Sequence, residues 1–418
     1  MKKLSFVKND VIYENGRMLH RIKATHGFGN VAEGELGGYV EQPDNISREG
    51  NCWVYGNAKV YGRAKIEGDA KVYDNAVIYK SAKISGSAIV RGNALIHGAA
   101  RVSGEAVVSE NAKLYGCATI SDNAVVCGNA VVCGFGIVRD NAVVKDNANI
   151  GEHAVVESRG SVFGSALVTG YAKVSGDAVV CCNAVVRDKA KVAEDAAIGG
   201  SAVIEQQAKV LGGASVSGRA VVKDNATVRG RSTVWGNAKV MNNATVTDNA
   251  IISDNVVICG NATAKGDCEI SDNAKVGGNA IIYGAALVYG NADVSGTVDV
   301  FGCGSVYGDA ILAGHVKVCD TACVGGTLRV EEGVFGGDCV VENNKDFVNM
   351  YQKGDVLGIT FTRSNKKWYY KGHSLDIVGL SRALRATGNT VNHVNNVVNS
   401  TLYRQDDDEM VFVAESEF

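Results

Sequence analysis

A chain of 418 residues carrying 42 Lys and Arg against 45 Asp and Glu, net charge −3, is neither a polybasic nucleic-acid binder nor an acidic mimic of one. Fifty-one Gly, a single Pro (Pro43) and 46% hydrophobic residues suit a soluble chain of two or three domains that turns often without proline. The start, Met1-Lys2-Lys3, runs into Leu-Ser-Phe-Val-Lys-Asn, too short and polar for a signal peptide, and no apolar run reaches a membrane span, so a cytoplasmic location is expected.

Residues 1–50 read as an N-terminal β cap. Val11-Ile12-Tyr13 and Met18 to Ile22 flank Asn15-Gly16, a strong signal for a hairpin. Gly27-Phe28-Gly29 and Gly37-Gly38 read as tight turns leading onward. No strand and helix frame Gly27–Gly29, so it is no phosphate loop.

From 51 to 340 the chain repeats one six-residue unit. Stepping by six from Val54 to Val324 gives 46 positions, all Val, Ile or Leu except Ala264. Four residues after each comes a small slot, and 37 of the 45 such positions from 58 to 322 are Ala. Ala58-Lys59-Val60-Tyr61 alternates inward and outward, a short strand, and Gly62-Arg63 breaks it. So short a strand buries its face only by stacking on its neighbours. The fourth residue of the hexad sets the coil. Every eighteenth residue from Asn57 to Asp309 is Asn at eleven of fifteen positions, against four and three in the registers from Arg63 and Asp69. Three hexads per coil, with an Asn ladder up one corner, account for that asymmetry and give about 15 coils. After Val324 the small slot becomes Leu328, Val334 and Val340, and Gly336 takes an aliphatic slot, as if the coil widens or unwinds.

Uninterrupted hexads of this kind resemble the left-handed parallel β-helices of the hexapeptide-repeat fold; the handedness is what the resemblance implies. Gly37-Gly38-Tyr39-Val40-Glu41 followed by Trp53-Val54-Tyr55-Gly56-Asn57-Ala58 is similar to a narrower group, the YdcK-like hypothetical proteins of bacteria and their phages. That resemblance covers about residues 17–340. The group is often labelled acyltransferase on fold alone and has no assigned chemistry to carry over. By the same analogy the chain is expected to form a homo-oligomer, with a trimer favoured.

Residues 341–418 change grammar and read as a small α+β domain after a break at Asn343-Asn344-Lys345-Asp346. A hairpin is expected between Gly358 and Gly372, turning at Ser364-Asn365. Ser374 reads as the cap of a helix through Arg385, a second helix carries Val391, Val394, Val398 and Leu402, and a last strand runs Met410–Ala414. Lys366-Lys367-Trp368-Tyr369-Tyr370-Lys371 mixes bases and aromatics, but nine Lys and Arg against ten Asp and Glu in this region speak against nucleic acid.

Candidates for chemistry are few. Acyltransferases of the hexapeptide fold use a histidine near a loop that leaves the helix. Here His97 follows Ile96 in an outward slot, His153 and His315 are corner residues, and no hexad carries an inserted loop. The nearest two, His97 and His153, are too far apart in sequence for the three-histidine zinc site of carbonic anhydrases of this fold. The twelve Cys form no framework: Cys127, Cys133, Cys181, Cys259 and Cys319 take outward slots, Cys268 replaces an inward Ala, and Cys181-Cys182 lacks zinc spacing. Free thiols are expected, with no metal and no cofactor. Aromatic residues eighteen apart (Tyr55 with Tyr73, Tyr61 with Tyr79, Tyr289 with Tyr307, Tyr283 with Phe301) read as cross-coil ladders, with a stacking platform for glycans or bases as the alternative. The expected function is a non-enzymatic scaffold presenting a rigid surface to a partner or to itself, with no catalytic residue assigned. The alternatives are an acyltransferase with a subunit-interface site and a protein that binds or sequesters a small molecule such as a nucleotide.

Overall fold

This computed structural model describes residues 2–344 and the backbone of four strands between 347 and 375. The chain forms two compact units, Met1–Gly230 and Arg231–Phe418. Among the described residues the regular elements of both are β-strands, apart from one short 3-10 turn at Pro43–Asn45, and the repeat is a parallel β-solenoid.

The first unit opens with β1 (Leu4–Glu14) and β2 (Arg17–Ala24), antiparallel and joined at Glu14 opposite Arg17. Asn15 (φ 47°) and Gly16 (φ 75°) are both left-handed, the tight turn that matches strand twist and that Asn-Gly serves best. β3 (Leu36–Val40) pairs antiparallel with β2 and parallel with Lys59–Val60, with Tyr39 opposite Lys59. It is the strand on which the antiparallel cap becomes the parallel solenoid.

Gly37 and Gly38 lie inside β3, not in a turn. Close approach explains them: a Cβ on Gly37 would sit 2.6 Å from both Ile22 Cγ1 and the Val54 carbonyl oxygen, and one on Gly38 would sit 2.4 Å from the Ala58 carbonyl oxygen. Gly38→Ala is therefore expected to cost about 1–3 kcal/mol, because the obstruction is backbone. Gly27→Ala, whose Cβ meets nothing nearer than 3.7 Å, serves as control. Equal urea midpoints for the two variants would refute the packing argument.

Lys3 closes the lower end. It is 5% exposed and donates to the carbonyls of Gly50 (2.8 Å) and Ser47 (3.4 Å), while its Nζ lies 4.6 Å over the Phe28 ring. Phe28 in turn meets the fully buried Trp53 edge to face at 5.5 Å. A solenoid end exposes unpaired strand edges and apolar side chains, and this cluster covers them.

Above the cap each hexad is a two-residue strand and a corner. Lys59 pairs with Val77, Lys65 with Lys83 and Lys71 with Ile89, so one coil is eighteen residues on all three faces. On the Trp53 face the first unit has ten such strands, Trp53–Val54 to Ser215–Val216, and the second has seven, Thr233–Val234 to Val340–Val341. The ten and seven strands together outnumber the expected fifteen coils, and one reason is that Val340–Val341, after Val324, still belongs to the second unit's repeat. Alternating Ala and Val, Ile or Leu fill the interior at 0% exposure. Small and β-branched residues fit because three strands converge on a narrow axis.

Between Val54 and Val324, left-handed φ is confined to the third hexad position. Gly takes it most often, and Asp74, Asp122, Asp146 and Asp188 adopt φ near 60° there. Their carboxylates accept the amide hydrogen of the same position one coil on, as Asp74 does from Gly92 (2.8 Å) and Asp146 from Gly164 (3.0 Å). The fourth position has a different reason for Asn. Asn93 Nδ2 donates to Asn111 Oδ1 at 3.1 Å, Asn111 to Asn129 and Asn129 to Asn147, each 3.1 Å. In the second unit the same ladder runs Asn237, Asn255, Asn273, Asn291 and ends on Asp309.

The second unit departs from the hexad at its far end. Ile311 still pairs with Arg329, eighteen on, but His315 pairs with Glu332 and Val324 with Val341, seventeen on. One residue has dropped out of the coil, and a one-residue slip exchanges the two faces of a strand. Val334 (38% exposed) and Val340 (39%) therefore point outward, while Phe335, Cys339 and Val341 are fully buried. The core continues through that coil instead of unwinding. His315 is not a corner residue either, since the corner straightens into the strand Ile311–Val318.

Beyond it, four antiparallel strands run Phe347–Met350, Ile359–Ser364, Lys367–Tyr370 and His373–Leu375. Ser364 pairs with Lys367, which puts a hairpin at the expected place. Ser374 belongs to the last of these strands and does not cap a helix. The helices expected after it, the strand Met410–Ala414 and the side chains of the basic-aromatic run 366–371 lie outside the described residues.

Candidate functional site: the cleft between cap and first coils

A concave surface lined by polar side chains lies in the first unit, where the cap hairpin overhangs the first coils. It is an open cleft of roughly 420 Å³ lined by Arg17, Glu41, Gln42, Arg63, Lys80 and Ser81, and it continues onto Asn15, Tyr61 and Tyr79. The turn residues of the hairpin supply one wall. Corners of successive coils, 62–63 and 80–81, supply the other, eighteen residues apart and hence stacked.

Glu41 organises the floor. It holds Arg17 with both oxygens, at 2.7 and 3.0 Å, and accepts the Gly62 amide at 2.7 Å. Gln42 Nε2 donates to the Gly62 carbonyl at 3.2 Å. Asn15 Nδ2 donates to the Tyr61 hydroxyl at 2.8 Å. Burial pushes the Tyr61 phenol up, partly offset by the Asn15 hydrogen bond, so it stays protonated and its own hydrogen can be donated onward. Lys80 projects past Tyr79, with its Nζ 5.8 Å from the ring centroid. Arg17, Arg63 and Lys80 are three cations, and Glu41 is the one carboxylate among the lining residues. The cleft can bind an anionic or hydroxyl-rich group.

The histidines lead elsewhere. Tyr61, Tyr79, His97 and Tyr115 form one stack on consecutive coils, with centroids 5.0, 4.9 and 5.4 Å apart. His153 lies between Phe135 (4.8 Å) and Tyr171 (4.7 Å), nearly parallel to both. Each imidazole thus has a ring on either face, and neither makes a side-chain hydrogen bond among the described contacts. A general base needs a partner that orients it and a path to its substrate. Burial, with the Lys80 charge adding to it, lowers the His97 pKa below its ordinary value of 6.5. His97 is then neutral near pH 7, and its proton resonances are expected to titrate with a midpoint below 6.5, moving up in Lys80→Gln. A midpoint at or above 6.5 in the native chain would contradict this environment.

Tyr55 with Tyr73, Tyr61 with Tyr79, Tyr283 with Phe301 and Tyr289 with Tyr307 stack as expected, at 4.5 to 5.5 Å. That spacing leaves no room for an inserted base or sugar between rings, so the columns offer edges rather than faces. The sequence reading missed the rows 79–97–115 and 135–153–171, although the same eighteen-residue step marks them. It also missed the cleft, because nothing in the sequence says where the Asn15-Gly16 turn docks.

Cys181 and Cys182 bring their sulfurs to 3.4 Å at one corner. The outward cysteines are half-buried or exposed, and Cys268 is fully buried with its thiol pushed up to about 12 by burial. Among the described residues, no group of three His, Cys, Asp or Glu side chains could hold a metal ion, and no helix is long and apolar enough to cross a membrane.

No family model and no curated protein matches this chain. Among solved structures it is similar to a crystal structure described as a "putative acetyltransferase" from Desulfovibrio desulfuricans G20. The likeness spans 88% of this chain and 82% of that one at 12% identity, with a TM-score of 0.17, too low to bear on activity.

Proposed function

We propose that the protein is a rigid, non-enzymatic β-helix scaffold that presents its faces to a partner or to further copies of itself. The observation that carries this reading is the fate of the two histidines: His97 and His153 are spent as rungs of aromatic ladders, on a solenoid whose hexads carry no inserted loop. The likeness of Gly37 to Ala58 to the YdcK-like group of bacteria and phages, the left-handed coil that likeness implies, a cytoplasmic setting and a homotrimer all belong to this proposal.

A second reading, a binder of small anionic molecules such as nucleotides, draws support from the Arg17, Arg63 and Lys80 cleft. An acyltransferase would need an activated acyl donor, of which acetyl-coenzyme A is the simplest to test. Calorimetry with that ligand is expected to give no heat, and His97→Ala and His153→Ala are expected to leave any measured activity within a few-fold. A hundred-fold loss at either position, with the circular dichroism unchanged, would install the enzyme reading instead. Light scattering on the same preparation reads the oligomeric state; a monomer would remove self-assembly from the proposal.

A further inference from the structure

The corner at 181–182 carries two thiols, where the coil above carries Gly199-Gly200 and the coil below Phe163-Gly164. Position 182 is the left-handed slot of its hexad, and Cys182 adopts φ 62° there, while the residues below and above it in the column are Gly164 and Gly200. Cys181 lies next to Gly199, whose absent Cβ would stand 3.7 Å from the Cys181 sulfur, and the ring of Phe163 occupies the same slot one coil below. Cys182 thus has a glycine on either side of it in its column, and Cys181 has Gly199 on one side and Phe163 on the other. Cys182 is exposed and Cys181 half-buried.

A left-handed backbone costs a non-Gly residue about 1–2 kcal/mol, and at this position most of the non-Gly residues are acids or amides that return a hydrogen bond to the next coil. Cys182 returns none to the backbone; its sulfur faces that of Cys181 at 3.4 Å. The pair is poorly placed for a disulfide. Adjacent Cα atoms stand about 3.8 Å apart, closer than the roughly 4.4–6.8 Å of an unstrained bridge. A tetrahedral zinc site would need about four ligands, and no third His, Cys, Asp or Glu joins these two among the described residues. What two sulfurs already at this separation do suit is a single bridging atom with a narrow bond angle.

The geometry points to a capture site for trivalent, pyramidal, thiophilic metalloids, with As(III) as the type, chelated by the Cys181 and Cys182 sulfurs. The step is balanced without an oxidant. With an organoarsenic(III) oxide, two S–H bonds break and two As–S bonds form; the arsenic-bound oxygen takes both protons and leaves as water, and arsenic stays trivalent. Burial, with the neighbouring thiol adding to it, pushes Cys181 up to about 11, so its sulfur enters the reaction as a thiol and carries one of the protons that the oxygen removes.

The test uses the full chain and phenylarsine oxide, read by intact-mass spectrometry and peptide mapping. One equivalent is expected to stay bound in excess 2-mercaptoethanol and to leave with 2,3-dimercaptopropanol, because only a dithiol matches a chelate. Cys181→Ser and Cys182→Ser should each cut the monothiol-resistant fraction at least tenfold, while Cys117→Ser and Cys303→Ser should not change it. Cys182 is at an exposed corner, so its variant keeps the test interpretable if Cys181→Ser disturbs folding. Retention unchanged in Cys182→Ser, an adduct mapped to Cys319 and Cys339, or no monothiol-resistant adduct at all would each overturn the assignment.

Discussion

Val180→Asp is expected to abolish cooperative folding of its part of the first unit, while Lys145→Asp on the same face is expected to leave the melting temperature almost unchanged. Val180 is fully buried in a column of aliphatic side chains, with Val162 and Ile198 on the adjacent coils. A carboxyl there finds neither water nor a hydrogen-bond partner, and burying such a group costs about 2–7 kcal/mol even when it takes up a proton. A repeat stack also propagates the damage, since each coil is held only by its two neighbours. Lys145 is exposed and loses at most a contact over the Phe163 ring at 5.0 Å, worth roughly 0.5–1 kcal/mol. Thermal melts followed by circular dichroism decide the matter, and similar midpoints for the two variants would sink the inside–outside assignment.

A paired substitution at the far end of the second unit is equally decisive. Val341→Asp is expected to destabilise that unit by several kcal/mol, and Val340→Asp by less than about 0.5 kcal/mol. The two valines are neighbours, but one is at 0% exposure and the other at 39%. An unbroken hexad from Val324 assigns them the opposite way, with 340 in the inward small slot and 341 outward. The observed pairing of Val324 with Val341 is one residue short of a full coil and exchanges them. Urea denaturation monitored on the second unit distinguishes the two registers; a larger loss for Val340→Asp would restore the unslipped coil.

The repeat was legible because it is written in residue types with physical reasons. A β-branched residue every six positions and Ala four later leave one arrangement that buries both, and the clustering of Asn in one of three registers fixes eighteen residues per coil. The slip near Gly333 was not legible. A single deletion leaves Val, Phe and Cys in place, and alternate apolar residues read equally well in either phase until pairing is seen. Gly37 and Gly38 were legible as special but not as to why, since a need for close approach and a need for left-handed φ both select glycine. The cleft was hidden for a different reason. Arg17, Glu41 and Lys80 are ordinary surface residues in sequence, and only the docking of the hairpin against the first coils brings them together. The dithiol at 181–182 was visible as a spelling, but its 3.4 Å separation and its glycine surroundings were not.

The amide ladder of the second unit has a polarity. From Asn237 through Asn255, Asn273 and Asn291, every side chain donates toward the coil that follows it, and the last donates to the Asp309 carboxylate at 2.8 Å. Aligned amide dipoles add, as peptide dipoles do along an α-helix, and the positive end of the row meets an anion. One amide turned the other way would set oxygen against oxygen on one side and NH₂ against NH₂ on the other. The row is therefore a single object with one orientation, and the Asp309 carboxylate, which can only accept when ionised, fits the donating end at which it stands.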